Sequence, residues 1–132
     1  MAENIRIMVV DDEPSVVESF KLILSLKNYA VTTFPDGPSA MAQFEKDKFD
    51  IAFLDLKMPG GMDGIDILRK IKEIDPNVEV IIVTAYGSES SHANAVTFGV
   101  LEYLRKPFLM EEIFEMVERA KQRRIRRARP AI

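Results

Sequence analysis

Five short strand-like runs alternate with helical patterns along the chain, and this alternation constrains the fold more than any other feature. Four runs are apolar, at 5–10, 51–54, 78–83 and 101–104, and a weaker one at 30–34 is rich in β-branched residues. The runs at 51–54 and 78–83 are largely apolar rather than alternating, which is typical of strands covered on both faces. The order predicts an α/β domain with a parallel sheet and right-handed crossovers.

Helical spacing of apolar residues follows each run. The helices are predicted from Pro14 to about Leu26, over 37–46, from about Ile65 to before Pro76, over 88–97, and from about Met110 onward. Five strand–helix units are too few for an eight-fold barrel, so an open, doubly wound sandwich of the flavodoxin-like type remains. The length suits one domain, and there is no internal repeat.

Polar residues gather where the predicted strands end. Ligands of open α/β sheets bind outside the carboxyl ends of the strands, so these residues are expected at one edge of the sheet. The residues that follow the first, third, fourth and fifth strands are Asp11, Asp12 and Glu13, then Asp55, then Thr84, then Arg105 and Lys106.

The residue types at this edge suit phosphoryl transfer. Carboxylates packed together repel one another and favour a hard cation such as Mg²⁺. A carboxylate also serves as a nucleophile toward phosphorus. Lys106 would neutralise the phosphoryl oxygens together with Mg²⁺, and Thr84 would donate a hydrogen bond to one of them.

Each of these residues taken alone has an ordinary structural interpretation. Asp12 resembles a helix cap or turn residue, and Asp63 before Gly64 resembles a turn. Thr84 also suits a helix cap, and Lys106 alone suits a solvated surface charge. Their joint occurrence at four strand ends favours a functional site instead.

Four strings carry a family resemblance: VVDDEPSVVE, FLDLKMPGGMDGIDILRKIK, VIIVTAYGS and YLRKPF. In this order and spacing they resemble the receiver domain of bacterial two-component response regulators, from residue 5 to about residue 120. The resemblance implies a five-stranded parallel sheet in the order 2-1-3-4-5 with five helices. It agrees with the doubly wound sandwich that the alternation predicts.

The resemblance also implies the phosphorylation chemistry, residue by residue. Asp55 matches the aspartate that accepts a phosphoryl group from a sensor histidine kinase or a phosphotransfer protein. Asp11 and Asp12 match the acidic pair that holds Mg²⁺. Asp55 and the backbone carbonyl of Lys57 complete the implied metal ligands.

The resemblance further implies a switch that responds to phosphorylation. Thr84 matches the hydroxyl that moves toward the phosphoryl group, and Lys106 matches the lysine that pairs with that group. Tyr103 matches the aromatic residue that moves inward on activation. The Lys106–Pro107 peptide bond is expected to be cis. The changed face would comprise the fourth helix, the fifth strand and the fifth helix.

The implied protein is a signalling switch that catalyses its own phosphorylation and dephosphorylation, not a turnover enzyme. Its expected partners are the kinase, an output domain or effector protein, and a second copy of the chain in a phosphorylation-dependent dimer. An alternative is an Mg²⁺-dependent phosphatase with an aspartate nucleophile. That class carries Asp-x-Asp after the first strand, whereas Asp11 and Asp12 are adjacent here.

The sequence departs from the family pattern at two places. Gly60-Gly61 carries one more glycine than the usual string, just after Lys57, and this insertion is expected to loop out because glycine tolerates unusual backbone angles. The fourth helix is rich in Ser, Asn and His, which weaken helices, so a mobile helix is expected. Lys57 and Tyr86 match positions that tune the lifetime of the phosphoryl group.

Composition narrows the chemistry. The absence of cysteine excludes disulfides, thiolate metal sites and cysteine nucleophiles, and the single histidine, His92, argues against a multi-histidine metal site. No stretch approaches about 18 consecutive apolar residues. The N-terminus lacks the basic start and cleavage site of a signal peptide. No membrane partner and a cytoplasmic location are therefore expected.

The net charge of −3 conceals a divided chain. Residues 119–132 hold seven of the 18 basic residues and none of the 21 acids, so a +7 tail follows a −10 body. Residues 1–120 are expected to form the receiver domain, and 121–132 a basic extension of the last helix or the start of a linker to an output domain. Direct nucleic-acid binding by the tail is less favoured, since no aromatic residues interleave and no recognition motif is present.

Overall fold

The computed structural model describes residues 4–58, 61–85 and 89–128. Its five strands form one parallel sheet in the order β2-β1-β3-β4-β5, which confirms the predicted fold. Gly60 and Tyr86, named above, lie outside the described residues, as do 129–132. The strands are β1 Arg6–Val10, β2 Ala30–Phe34, β3 Ile51–Asp55, β4 Glu79–Thr84 and β5 Glu102–Arg105.

The helices follow the strands in strict alternation. They are α1 Pro14–Ser25, α2 Gly37–Gln43, α3 Gly64–Ile74, α4 Glu89–Thr97 and α5 Met110–Ala128. Pro14 takes the first position of α1, and Gly99, with a φ of 88°, follows the end of α4, as the sequence predicts. Asp63 and Asp66 form a capping box at the start of α3.

The predicted end of the second helix at residue 46 is wrong. The helix stops at Gln43 because Phe44 is extended, with a φ of −73° and a ψ of 133°. This conformation stacks the ring of Phe44 on that of Phe49 with centroids 6.1 Å apart. Burial of the two rings therefore outweighs one further helical turn.

The sheet separates two apolar layers. Met8, Ala52 and Ile82 face a core that includes Leu68 and Ile71 of α3 and Ala95 of α4. The alternate strand positions face a second core, which includes Phe20 of α1 and Ile113 and Val117 of α5. Every residue of β3 and β4 is buried, so the central strands are covered on both faces as predicted.

No helix among the described residues is long and apolar enough to cross a membrane.

Candidate functional site at the carboxyl edge of the sheet

The polar strand-end residues lie together at the carboxyl edge of the sheet. Asp55 is the last residue of β3 and Thr84 the last residue of β4, so each belongs to its strand and does not follow it as the sequence suggested. Asp11 follows β1 directly, and its backbone N–H donates to the Phe34 carbonyl at 3.1 Å. Main-chain hydrogen bonding thus fixes the positions from which these side chains project.

Three carboxylates converge at this edge. Asp11, Asp12 and Asp55 each offer an oxygen, and these atoms lie within 4.8 Å of one another. Asp11 and Asp55 are buried, with 2% and 6% of their surface exposed, whereas Asp12 is exposed. Two buried carboxylates beside an open one form a cluster that can hold a hard cation reached from solvent.

Lys106 brings the compensating charge. Its Nζ lies 3.0 Å from Asp11 Oδ2, 3.5 Å from Asp55 Oδ1 and 3.2 Å from Glu13 Oε1. Its side chain is only 12% exposed. Lys106 is therefore not a solvated surface charge, which is the ordinary interpretation of a single lysine. Its backbone N–H donates to the Thr84 carbonyl at 3.0 Å, which fixes the start of the β5–α5 loop beside β4.

The electrostatics of the edge favour protonation of Asp55. Burial and the charge of Asp11 raise the pKa of Asp55 to about 7, even though Lys106 favours the ionised form. Burial likewise raises the pKa of Asp11. For Lys106, burial favours the neutral form, but Asp11 and the other acids outweigh it and raise the pKa. The site is therefore short of positive charge.

The remaining residues named from the sequence lie around this cluster. Thr84 is 6% exposed at the end of β4, in register with Arg105 of β5. Tyr103 of β5 is partly buried against the core formed with α3 and α4, and burial raises its pKa. Lys57 lies in the loop after β3 with its side chain exposed. The Lys106–Pro107 peptide bond is cis.

Gly64 lets α3 begin directly beneath the site. Its N–H donates to the Leu56 carbonyl at 2.8 Å. A Cβ on this residue would lie 2.5 Å from the backbone oxygen of Asp55 and 3.0 Å from the Cα of Leu56. Only glycine permits this approach of helix and strand without displacing Asp55.

Glu13 also contacts Lys106, although its place in the sequence suggests no function for it. It precedes Pro14 at the start of α1, and its backbone N–H donates to Asp11 Oδ1 at 2.9 Å while its carboxylate contacts Lys106. The adjacency of Glu13 to the two acids after β1 was the available signal. The contact between Glu13 and Lys106 could not be predicted from the sequence, because the two residues are 93 positions apart.

Comparison with known proteins identifies the family to which the chain is similar. Residues 7–118 match the response regulator receiver domain family. The chain is 34% identical over 116 residues to sporulation initiation phosphotransferase F of Bacillus subtilis, covering 88% of this chain and 93% of that protein. It is 33% identical over 127 residues to the transcriptional regulatory protein TrcR of Mycobacterium tuberculosis, covering 96% of this chain and 49% of TrcR.

A solved structure supports the same relationship. The CheY-like response regulator receiver domain protein from Methanospirillum hungatei superposes with a TM-score of 0.90 at 26% identity, covering 96% of this chain and all of that one. The chain spans about half the length of the transcriptional regulators that it matches.

Proposed function

The chain belongs to the response regulator receiver domain family, and from this premise we propose that Asp55 accepts a phosphoryl group from the phosphohistidine of a sensor histidine kinase or phosphotransfer protein. The observation that carries the proposal is the convergence of Asp11, Asp12, Asp55 and Lys106 at one edge of the sheet. Asp55 combines a buried position with a neighbouring ammonium group, as a carboxylate nucleophile toward phosphorus requires.

The donor set suits Mg²⁺. Asp11 Oδ2 is buried and makes no hydrogen bond of good geometry, although Lys106 Nζ lies 3.0 Å away. We assign Asp11, Asp12, Asp55 and the backbone carbonyl of Lys57 as the residues that would hold the ion. Mg²⁺ supplies charge neutralisation for the carboxylates and the transferring phosphoryl group.

The chemical step begins from ionised Asp55. One of its carboxylate oxygens forms a bond to phosphorus as the phosphorus–nitrogen bond of the phosphohistidine breaks, and the electron pair of that bond leaves with the imidazole. Lys106 Nζ lies 3.5 Å from Asp55 Oδ1 before transfer and would pair with a phosphoryl oxygen afterwards. Thr84 would donate its hydroxyl hydrogen to another phosphoryl oxygen.

The switch follows from this redistribution of contacts. Thr84 is the last residue of β4 and Lys106 follows β5 directly. A new dianion would attract both side chains and so displace the ends of these two strands, which border α4 and α5. Tyr103 is only partly buried, so an inward movement would bury more of its ring. A few kcal/mol of differential contact suffices to shift such a two-state equilibrium, and the face of α4, β5 and α5 would change.

Partners beyond the phosphodonor belong to the same proposal. The longer relatives extend beyond the matched region, which supports an output domain or effector protein downstream of this one. A second copy of the chain is a further candidate for the α4–β5–α5 face. All of these interactions would take place in the cytoplasm.

Labelling with a small phosphodonor tests the assignment of Asp55. The purified chain should incorporate label only when Mg²⁺ is present, and Asp55→Asn should remove all of it because the nucleophilic oxygen is lost. The matched control is Asp47→Asn, an exposed position in the left-handed region, with a φ of 65°, that asparagine tolerates. Full labelling of Asp55→Asn would refute the assignment, and so would the absence of labelling in both the parent and Asp47→Asn.

A further inference from the structure

The basic end of α5 contacts the domain through its arginine side chains. Arg124 Nη2 lies 2.9 Å from Asp50 Oδ1. Its Nη1 donates to the Asn77 carbonyl at 2.6 Å and to the Asp50 carbonyl at 3.3 Å. One guanidinium thus contacts the segments that precede β3 and β4, at the edge of the sheet opposite to the carboxylate cluster.

Asp50 is a fixed anchor for this contact. It precedes β3, and Arg6 of β1 donates to its carboxylate from the backbone N–H at 2.8 Å and from Nε at 3.2 Å. The backbone N–H of Asp50 donates in return to the Arg6 carbonyl at 2.8 Å. Burial raises the pKa of Asp50, but Arg6 and Arg124 outweigh it and hold the pKa below its ordinary value. The carboxylate is therefore expected to be ionised, and it accepts hydrogen bonds from both Arg6 and Arg124.

The preceding residue makes a second attachment. Arg123 Nε lies 3.2 Å from Oε2 of Glu79, the first residue of β4, whose side chain is 1% exposed. Consecutive residues on a helix point about 100° apart. Arg123 therefore contacts the first residue of β4, whereas Arg124 projects from another side of the helix to the residues that precede β3 and β4. The two contacts together restrain the end of the helix.

Apolar packing does not explain why α5 stays on the domain this far. Among the α5 side chains that the structure describes, the last buried apolar one is Ala120, and Ile125 is 48% exposed. A helix end without a packed apolar face frays readily in water. The ion pairs of Arg123 and Arg124 supply the tertiary contact that the apolar residues no longer provide.

We propose that Arg123 and Arg124, held by Glu79 and Asp50, form a clamp that fixes the direction in which α5 leaves the domain. Whatever chain follows this helix is then attached rigidly. The ion pairs of the clamp also occupy two basic residues of the tail that could otherwise bind phosphate groups, and two more basic residues are paired in the same way. Arg119 pairs with Glu102, and Lys121 pairs with Glu118. Among the tail side chains that the structure describes, Arg126 is the basic one with no ion pair, which makes it a matched control.

Spin labelling of the full chain tests the clamp. The chain has no cysteine, so Glu73→Cys on α3 and Ile125→Cys on α5 give two unique labels at exposed positions. We expect a single narrow interspin distance distribution for this parent and for Arg126→Gln. Arg123→Gln/Arg124→Gln should widen the distribution at least twofold. A broad distribution in the parent, or an unchanged width in the double variant, would overturn the proposal.

Amide hydrogen exchange provides the second measurement. In the double variant, exchange over 122–128 should rise at least tenfold while that over 113–120 keeps its rate. If the double variant fails to fold, Arg124→Gln alone serves, since it keeps Arg123 beside Glu79. Equal exchange over 122–128 in Arg124→Gln and Arg126→Gln would contradict the clamp.

Discussion

Ionised Asp55 destabilises the metal-free fold, and the effect has a definite pH dependence. Its pKa rises from about 3.9 in an unfolded chain to about 7 in the folded one. The stabilising contribution of this group is therefore fully present below about pH 4 and is lost as the pH rises through about 7. The fold tolerates this energetic cost at the residue that we propose as the nucleophile.

Asp55→Asn should consequently stabilise the chain in chelator at pH 8. We expect the free energy of unfolding to increase by about 4 kcal/mol at that pH, from a shift of about three pKa units at about 1.36 kcal/mol each, and to change little at pH 4. Urea denaturation at the two pH values measures it. Asp47→Asn should behave as the parent does at both. An equal effect of Asp55→Asn at pH 4 and pH 8 would show that ionisation is not the cause.

Gly64→Ala tests the close approach of α3 to the site. In an exposed helix alanine is favoured over glycine by about 1 kcal/mol, but here its Cβ would lie 2.5 Å from the Asp55 carbonyl oxygen. We expect the overlap to win, lowering stability by about 2 kcal/mol and slowing phosphoryl labelling by displacing Asp55. Denaturation and labelling rates measure the two effects.

Gly61→Ala is the control for that experiment. It has open space around the added Cβ but a φ of 78°. It should lose about 1–2 kcal/mol through backbone strain and keep its labelling rate. Faster labelling by Gly64→Ala than by Gly61→Ala would contradict the explanation.

At the scale of elements, periodicity predicted the helices and strands, and packing decided their ends. The positions of Pro14 and Gly99 were readable because their backbone preferences act locally. The end of α2 was not, because Phe44 leaves the helix to stack on Phe49, a contact made only once the chain has folded. β1 and β2 end where the sequence predicts, whereas β3, β4 and β5 each end one residue later than predicted.

The fourth helix is the element that we expect to open most readily. Among residues 93–97 of α4, only Ala95 is buried. In α3, by contrast, Ile67, Leu68 and Ile71 are fully buried and a capping box closes the start. Because local opening costs less where few apolar contacts are lost, amide protection over 88–98 should be lower than over 65–73. Hydrogen exchange measures both segments in one sample, and equal protection would contradict the expectation.

At the scale of the whole molecule, the sequence was most informative where topology could be combined with it. Parallel strands end at one edge, so Asp11, Asp55, Thr84 and Lys106 could be brought together without coordinates. The opposite edge was not readable. Nothing in the spacing of the basic tail indicated that Arg124 would return to Asp50, 74 residues earlier, because long-range ion pairs leave no periodic signal.

The face of α4, β5 and α5 should join two copies of the chain on activation. It carries exposed Val96 and the oppositely charged pair Glu102 and Arg119, a mixture that suits a self-complementary two-fold interface. We expect beryllofluoride, an acyl-phosphate mimic, with Mg²⁺ to convert the monomer to a dimer in size-exclusion chromatography with light scattering. Asp55→Asn should stay monomeric because the mimic needs the carboxylate oxygen. A monomer under both conditions would refute the predicted self-association.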